Sequence, residues 1–246
     1  MKIYGKTDTG VVRDNNQDSF KITINSNYSL CVVCDGMGGA AGGSTASSTA
    51  CETFTKYVID HIEAGIQKDS FSDLLTDAVN HANSEVYTLA NENRDLTGMG
   101  TTLCALLSCG KNIWGVSIGD SRIYMLKDDA LIQISHDHSY VQVLVDNGAI
   151  TKEESRTHPQ KNIITRAVGT NTEVECDSYV TEALADGYLI CSDGLTNYVT
   201  DDEIKGVFHE HSNDPEKMAN TLIDMANSAG GGDNITVLVM VSDNNQ

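Results

Sequence analysis

Leu30-Cys31-Val32-Val33-Cys34-Asp35-Gly36-Met37-Gly38-Gly39, residues 30–39, is the stretch on which the fold turns. Five apolar residues in succession read as a buried strand, and Asp35-Gly36 closes it. The glycine-rich turn then leads into Thr45–Ile66, where Ala46, Ala50, Phe54, Val58, His61 and Ile62 recur at near-helical spacing. A second helical segment, Phe71–Asn93, carries Leu75, Ala78, Val79, Ala82, Val86, Leu89 and Ala90 on one face, with Asp73 in its acidic first turn. Asp214 as N-cap and Pro215 at the first helical position announce a third helix, which Gly230-Gly231-Gly232 ends. Further strand-like runs occupy Ser19–Asn25, Thr101–Ser108, Asn112–Ile118, Arg122–Leu126, Ala130–Ser135, Val174–Thr181, Tyr188–Ser192 and Asn234–Val241. Runs of strands broken by helix pairs predict an α+β fold with largely antiparallel sheets. Asn147–Thr170 fits neither pattern and reads as a mobile surface excursion, while Asp186-Gly187 reads as a hairpin turn.

The 246 residues include 35 Asp plus Glu against 16 Lys plus Arg, a net charge of −19. Such a surface repels nucleic acid and anionic membranes, whose affinity for proteins comes mainly from Lys and Arg. With only Pro159 and Pro215 in the chain, no Pro-rich linker divides it, so a single domain over residues 1–246 is expected. Met1–Asp8 lacks the apolar stretch of a secretory signal, and no apolar run approaches the roughly 20 residues of a membrane-spanning helix. Seven cysteines, an odd number, then read as reduced thiols in a cytoplasmic protein. Cys31 and Cys34, three apart on one strand, point to opposite faces and cannot share a metal.

The chemistry lies at the strand ends. Asp18 precedes a strand, Asp35, Asp120 and Asp193 each follow one, and Asp233 precedes the last. A packed sheet delivers such ends to a common rim. Converging carboxylates need a cation to remain ionised together, and oxygen donors without a His or Cys set favour Mg²⁺ or Mn²⁺ over zinc or copper.

Six motifs extend this reading: Arg13-Asp14-Asn15-Asn16-Gln17-Asp18, Asp35-Gly36-Met37-Gly38-Gly39, Gly119-Asp120-Ser121-Arg122, Asp137-His138-Ser139, Cys191-Ser192-Asp193-Gly194-Leu195 and Gly231-Gly232-Asp233-Asn234-Ile235-Thr236. In this order the set resembles that of the metal-dependent protein serine/threonine phosphatases, the PPM or type 2C family, in its compact bacterial form. The resemblance implies a four-layer sandwich of two antiparallel β-sheets flanked by helix pairs, with a flap at about residues 147–170 beside the active-site cleft.

It also implies two Mn²⁺ or Mg²⁺ ions per chain. Asp35 bridges them, the Gly36 carbonyl binds one, and Asp193 with Asp233 completes the other. Asp120 and Asp193 form a weaker third position, Asp18 acts through metal-bound water, and Arg13 clamps the substrate phosphate. The implied reaction is direct attack of metal-activated water on phosphoserine or phosphothreonine. A monomer is expected to reverse the work of a serine/threonine kinase, with that kinase and its substrates among its partners.

Two positions depart from the family pattern. Ala40 stands where many members carry a His, and Gln17 where many carry Glu. These departures suggest a second reading, a catalytically silent phosphoprotein-binding domain. A two-metal phosphoesterase acting on small molecules or on sigma-factor-antagonist-type phosphoproteins is a third.

Overall fold

The structure, a computed structural model, describes residues 1–39, 41–182 and 185–242; Ala40 lies outside them. In chain order the strands are β1 (Lys2–Asp8), β2 (Asp18–Ile24), β3 (Ser29–Met37), β4 (Gly100–Thr101), β5 (Leu103–Cys109), β6 (Asn112–Ile118), β7 (Arg122–Lys127), β8 (Ala130–Gln133), β9 (Asp177–Glu182), β10 (Gly187–Cys191) and β11 (Ile235–Val241). The helices are α1 (Gly42–Glu63), α2 (Phe71–Glu92), α3 (Tyr140–Asp146), α4 (Lys152–Thr157), α5 (Asp193–Thr196), α6 (Asp201–Glu210) and α7 (Pro215–Ser228).

The continuous apolar run of β3 is explained by burial on both faces. Leu30, Val32 and Cys34 pack under α1 and α2, while Cys31 and Val33 face the second sheet. β11 does the same in the other sheet: Ile235, Val237, Val239 and Val241 lie under α6 and α7, and Leu238 and Met240 between the sheets. One sheet runs β1-β11-β10-β7-β8, the other β2-β3-β5-β6-β9 with β4 paired to β3. The pairings are antiparallel. The result is the α+β, four-layer sandwich of two antiparallel sheets between helix pairs.

Local chemistry sets the helix boundaries. α7 begins where expected, with Asp214 accepting from the Lys217 N–H and Pro215 opening the first turn. α1 starts earlier than its apolar spacing suggests because its first turn crosses β3 backbone to backbone. A Cβ on Gly36 would lie 2.0 Å from the Gly43 carbonyl oxygen, so no side chain fits there.

Several elements differ from the sequence reading. The run Thr101–Ser108 splits at Thr102, the predicted strand from Val174 starts only at Asp177, and β1 and α6 went unpredicted. Asp186-Gly187 is not a hairpin turn: β9 and β10 belong to different sheets, and the segment carries the chain between them. The excursion at 147–170 contains α4, capped reciprocally by Thr151 and Glu154. Its C-terminal part is fastened, by Tyr140 N–H to the Ile163 carbonyl (2.8 Å), Thr165 N–H to the His138 carbonyl (2.8 Å) and a bridge between Thr101 and Val168. No helix among the described residues is long and apolar enough to cross a membrane.

Candidate active site

Strand register brings the five predicted aspartates to one rim. Asp18 at the start of β2 pairs directly with Asp35 near the end of β3. In the other sheet Arg122 pairs with Cys191, and Cys191 with Val237, so Asp120, Asp193 and Asp233 leave the same end of three neighbouring strands. The two sheets are joined there by hydroxyls: Ser192 Oγ and Thr236 Oγ1 each donate to Asp18 Oδ2 at 2.7 Å. Asp35 is fixed through its backbone, its N–H donating to Thr102 Oγ1 (2.9 Å) and its carbonyl accepting from Thr102 N–H (2.9 Å).

Mutual repulsion and burial dominate the electrostatics. Burial, opposed by the Thr236 and Ser192 hydrogen bonds and reinforced by the charges of Asp193 and Asp233, pushes Asp18 up to about 6. Asp35 is held well above the carboxylate range, by burial and then by Asp18, Asp193, Asp120 and Asp233. Asp120 is raised by burial, Asp193 and Asp137, and Asp193 by burial and then Asp233. This is an arrangement that favours a cation.

The donor set fits a hard divalent ion. Asp18 Oδ1 and Asp120 Oδ1 are buried without a hydrogen-bond donor from the protein, an unusual state for carboxylate oxygens. Among the described residues, no three His, Cys, Asp or Glu side chains close tightly enough to ligate an ion unaided. Oxygen donors other than these side chains, water among them, would complete the coordination, as is usual for ions that keep part of their hydration shell.

Arg13 lies at the rim but is already engaged. Its Nη2 contacts Asp233 Oδ2 at 2.8 Å and its Nε donates to the Gly232 carbonyl at 3.3 Å, with half of the side chain exposed. Gln17 donates through Nε2 to the Gly39 carbonyl (3.4 Å), and its own carbonyl accepts from the Gly36 N–H (3.1 Å). His138 is built into the framework: its Nδ1 accepts from the Gly119 N–H (3.1 Å), and its Nε2 lies 3.3 Å from Asp177. The excursion closes one side of a small cavity lined by Asp120, Asp193, Lys152, Arg156 and Lys161. Arg156 donates to the Thr196 carbonyl (3.3 Å), and Lys161 to Asn197 Oδ1 (2.9 Å).

Several site residues escaped the sequence reading. Asn234 clamps the Arg13–Asp18 loop, accepting from the Gln17 N–H at 2.8 Å and donating to the carbonyls of Thr9 and Asn15, each at 2.9 Å. Asn197 donates to Asp193 Oδ2 at 2.9 Å. Ser192 and Asn234 each adjoin a predicted aspartate, and that adjacency is a signal that could have found them. Thr236 closes the last of the six motifs, while Thr102 offered no signal.

Ser192 provides a direct test. Its hydroxyl also accepts from the Thr236 N–H at 2.9 Å, so Ser192→Ala leaves a buried N–H unpaired and removes one donor from Asp18. The expected outcome is a loss of about 1–3 kcal/mol in stability together with weaker Mn²⁺ binding, read by denaturant unfolding and calorimetric titration. Unchanged Mn²⁺ affinity would show that the Ser192 hydrogen bond to Asp18 does not contribute to holding the cation.

Comparison with known proteins gives a consistent result. The model of one family, Protein phosphatase 2C, matches residues 11–230. The chain is 37% identical to serine/threonine phosphatase stp of Listeria monocytogenes over 248 aligned residues, covering 97% of this chain and 94% of that protein. It superposes on the crystal structure of serine/threonine phosphatase Stp1 from Staphylococcus aureus with a TM-score of 0.91 and 35% identity, covering 98% and 95% of the two chains. The catalytic domain of serine threonine protein phosphatase PstP, solved in complex with 2 manganese ions, gives a TM-score of 0.83 at 37% identity, with 97% and 96% covered.

Proposed function

The chain belongs to the protein phosphatase 2C family of metal-dependent phosphatases, and from that premise we propose that its aspartate rim hydrolyses phosphoserine and phosphothreonine in proteins by direct attack of water. The observation that carries this reading is five converging carboxylates beside an arginine, with the thiol and hydroxyl that precede Asp193 withdrawn from solvent. Cys191 and Ser192 are fully buried; burial also pushes the Cys191 thiol up to about 12, and the Ser192 hydroxyl is bound to Asp18. No phosphoenzyme is expected.

Asp35, the Gly36 carbonyl, Asp193 and Asp233 would hold two Mn²⁺ or Mg²⁺ ions, with Asp120 and Asp193 flanking a weaker third position. Bound divalent cations supply Lewis acidity, lowering the pKa of water and offsetting the negative charge of the phosphoryl group. Asp18, fixed through Oδ2, presents Oδ1 to orient a water at the rim. Arg13 turns part of its fork to phosphate oxygens while its Nη2 stays on Asp233.

In this reading residues 1–246 act as a single phosphatase domain, with 147–170 as the flap beside the cleft. The setting is a cytoplasmic monomer that opposes a serine/threonine kinase, with phosphorylated proteins as its partners.

Arg13 tests the phosphate end of the proposal. For Arg13→Ala, the KM for a phosphothreonine peptide is expected to rise about 10- to 100-fold, the worth of charge-assisted hydrogen bonds to phosphate. An unchanged KM in steady-state phosphate-release assays removes Arg13 from the role.

A further inference from the structure

Eight large apolar side chains stand exposed among the described residues, and the two most exposed are neighbours: Val11 at 65% and Val12 at 67%. A scattered apolar residue on a surface needs no explanation, but this adjacent pair directly precedes Arg13.

The pair is presented by a braced turn. The Val11 N–H donates to the Gly231 carbonyl at 2.8 Å, and the Gly10 N–H to Asp8 Oδ1 at 2.9 Å. Gly10 has φ +79°, and a Cβ there would lie 2.2 Å from the Asp233 carbonyl oxygen. The turn is thus wedged against the Gly231–Asp233 segment, whose Asp233 carboxylate holds Arg13. Val11 and Val12 are consequently fixed in position relative to the guanidinium.

We propose that Val11 and Val12 form a specificity subsite that receives an apolar side chain immediately flanking the phosphorylated residue of the substrate. The inference rests on Arg13 as the phosphate-binding residue. Val12 adjoins Arg13 in the chain, so a peptide whose phosphate reaches the guanidinium, advancing about 3.3–3.6 Å per residue, carries its flanking residues towards the valine pair. The subsite is therefore continuous with the phosphate site. The net charge of −19 disfavours acidic flanks, whereas an apolar side chain gains by displacing water from both valines.

Three phosphothreonine peptides that differ only in the residues on either side of the phosphothreonine, Leu, Ser or Asp, test this in Mn²⁺, with p-nitrophenyl phosphate as a probe of the reaction alone. The wild-type kcat/KM is expected to be about tenfold higher for the Leu peptide than for the Ser peptide, through KM, and lowest for the Asp peptide. In Val11→Ser/Val12→Ser the Leu-to-Ser ratio collapses towards one, and Val12→Ser alone lowers it part of the way. A flat wild-type ratio, or a ratio that survives the double substitution, overturns the subsite. If p-nitrophenyl phosphate is hydrolysed in that case, the phosphatase reading stands without it. Failure to hydrolyse any of the four substrates overturns both.

Discussion

Phosphate release from a phosphothreonine peptide in Mn²⁺ is expected to fall about 10³-fold in Asp193→Asn, and to the uncatalysed background in excess EDTA. Asp193 stands between Asp233 and Asp120 and its charge also acts on Asp35, so in the proposed site it would serve more than one cation position. Asn has nearly the same shape and can keep a hydrogen bond to Asn197, so the fold should survive. Removing one charge from a self-repelling cluster should also raise the melting temperature of the metal-free protein. Lost activity combined with gained apo stability separates a cation-holding role from a structural one. Activity that persists in both EDTA and the variant would overturn the metal-dependent mechanism.

The second large effect concerns pH and metal together. In the metal-free fold Asp18 is lifted from 3.8 to about 6, so the folded protein holds this proton more tightly than the unfolded chain does. The associated stability is present below the unfolded value and is lost as pH rises through about 6, at a cost of about 3 kcal/mol for Asp18 alone. Asp35, Asp120 and Asp193 shift in the same direction, so the cluster titrates as a unit. Divalent cations compete with those protons. Adding Mn²⁺ is therefore expected to raise the melting temperature by about 6–12 °C near pH 7.5 and by little near pH 5. Equal shifts at the two pH values, measured by calorimetry, would contradict this account of the rim.

How much of this was legible beforehand depended on whether the signal was local. The β3 run was legible because burial on both faces leaves no polar residue in it, and α7 because Asp214 and Pro215 are local stop-and-start chemistry. β1 was missed because Lys2, Gly5, Lys6 and Thr7 dilute its apolar pattern; only pairing with β11 makes it a strand. α6 was missed although Thr200 and Glu203 form a capping box, a local signal that was available. At the rim, the aspartates were readable from strand ends and motifs. Thr102 was not, and the role of Thr236, although it sits in the last motif, arises only where the two sheets meet. Nor did the sequence indicate that Arg13 would rest on Asp233.

The pairing of β1 with β11 has a practical meaning. Lys2 faces Val241 at one end of this ribbon, while Asp8 faces Ile235 at the other, beside the aspartate rim. Seven residues of strand separate the two ends, about 20 Å. A linker leaving this ribbon at Lys2 or Val241 would therefore start on the side of the molecule away from the cleft, and an attachment made at those positions for immobilisation should leave phosphopeptide access unobstructed.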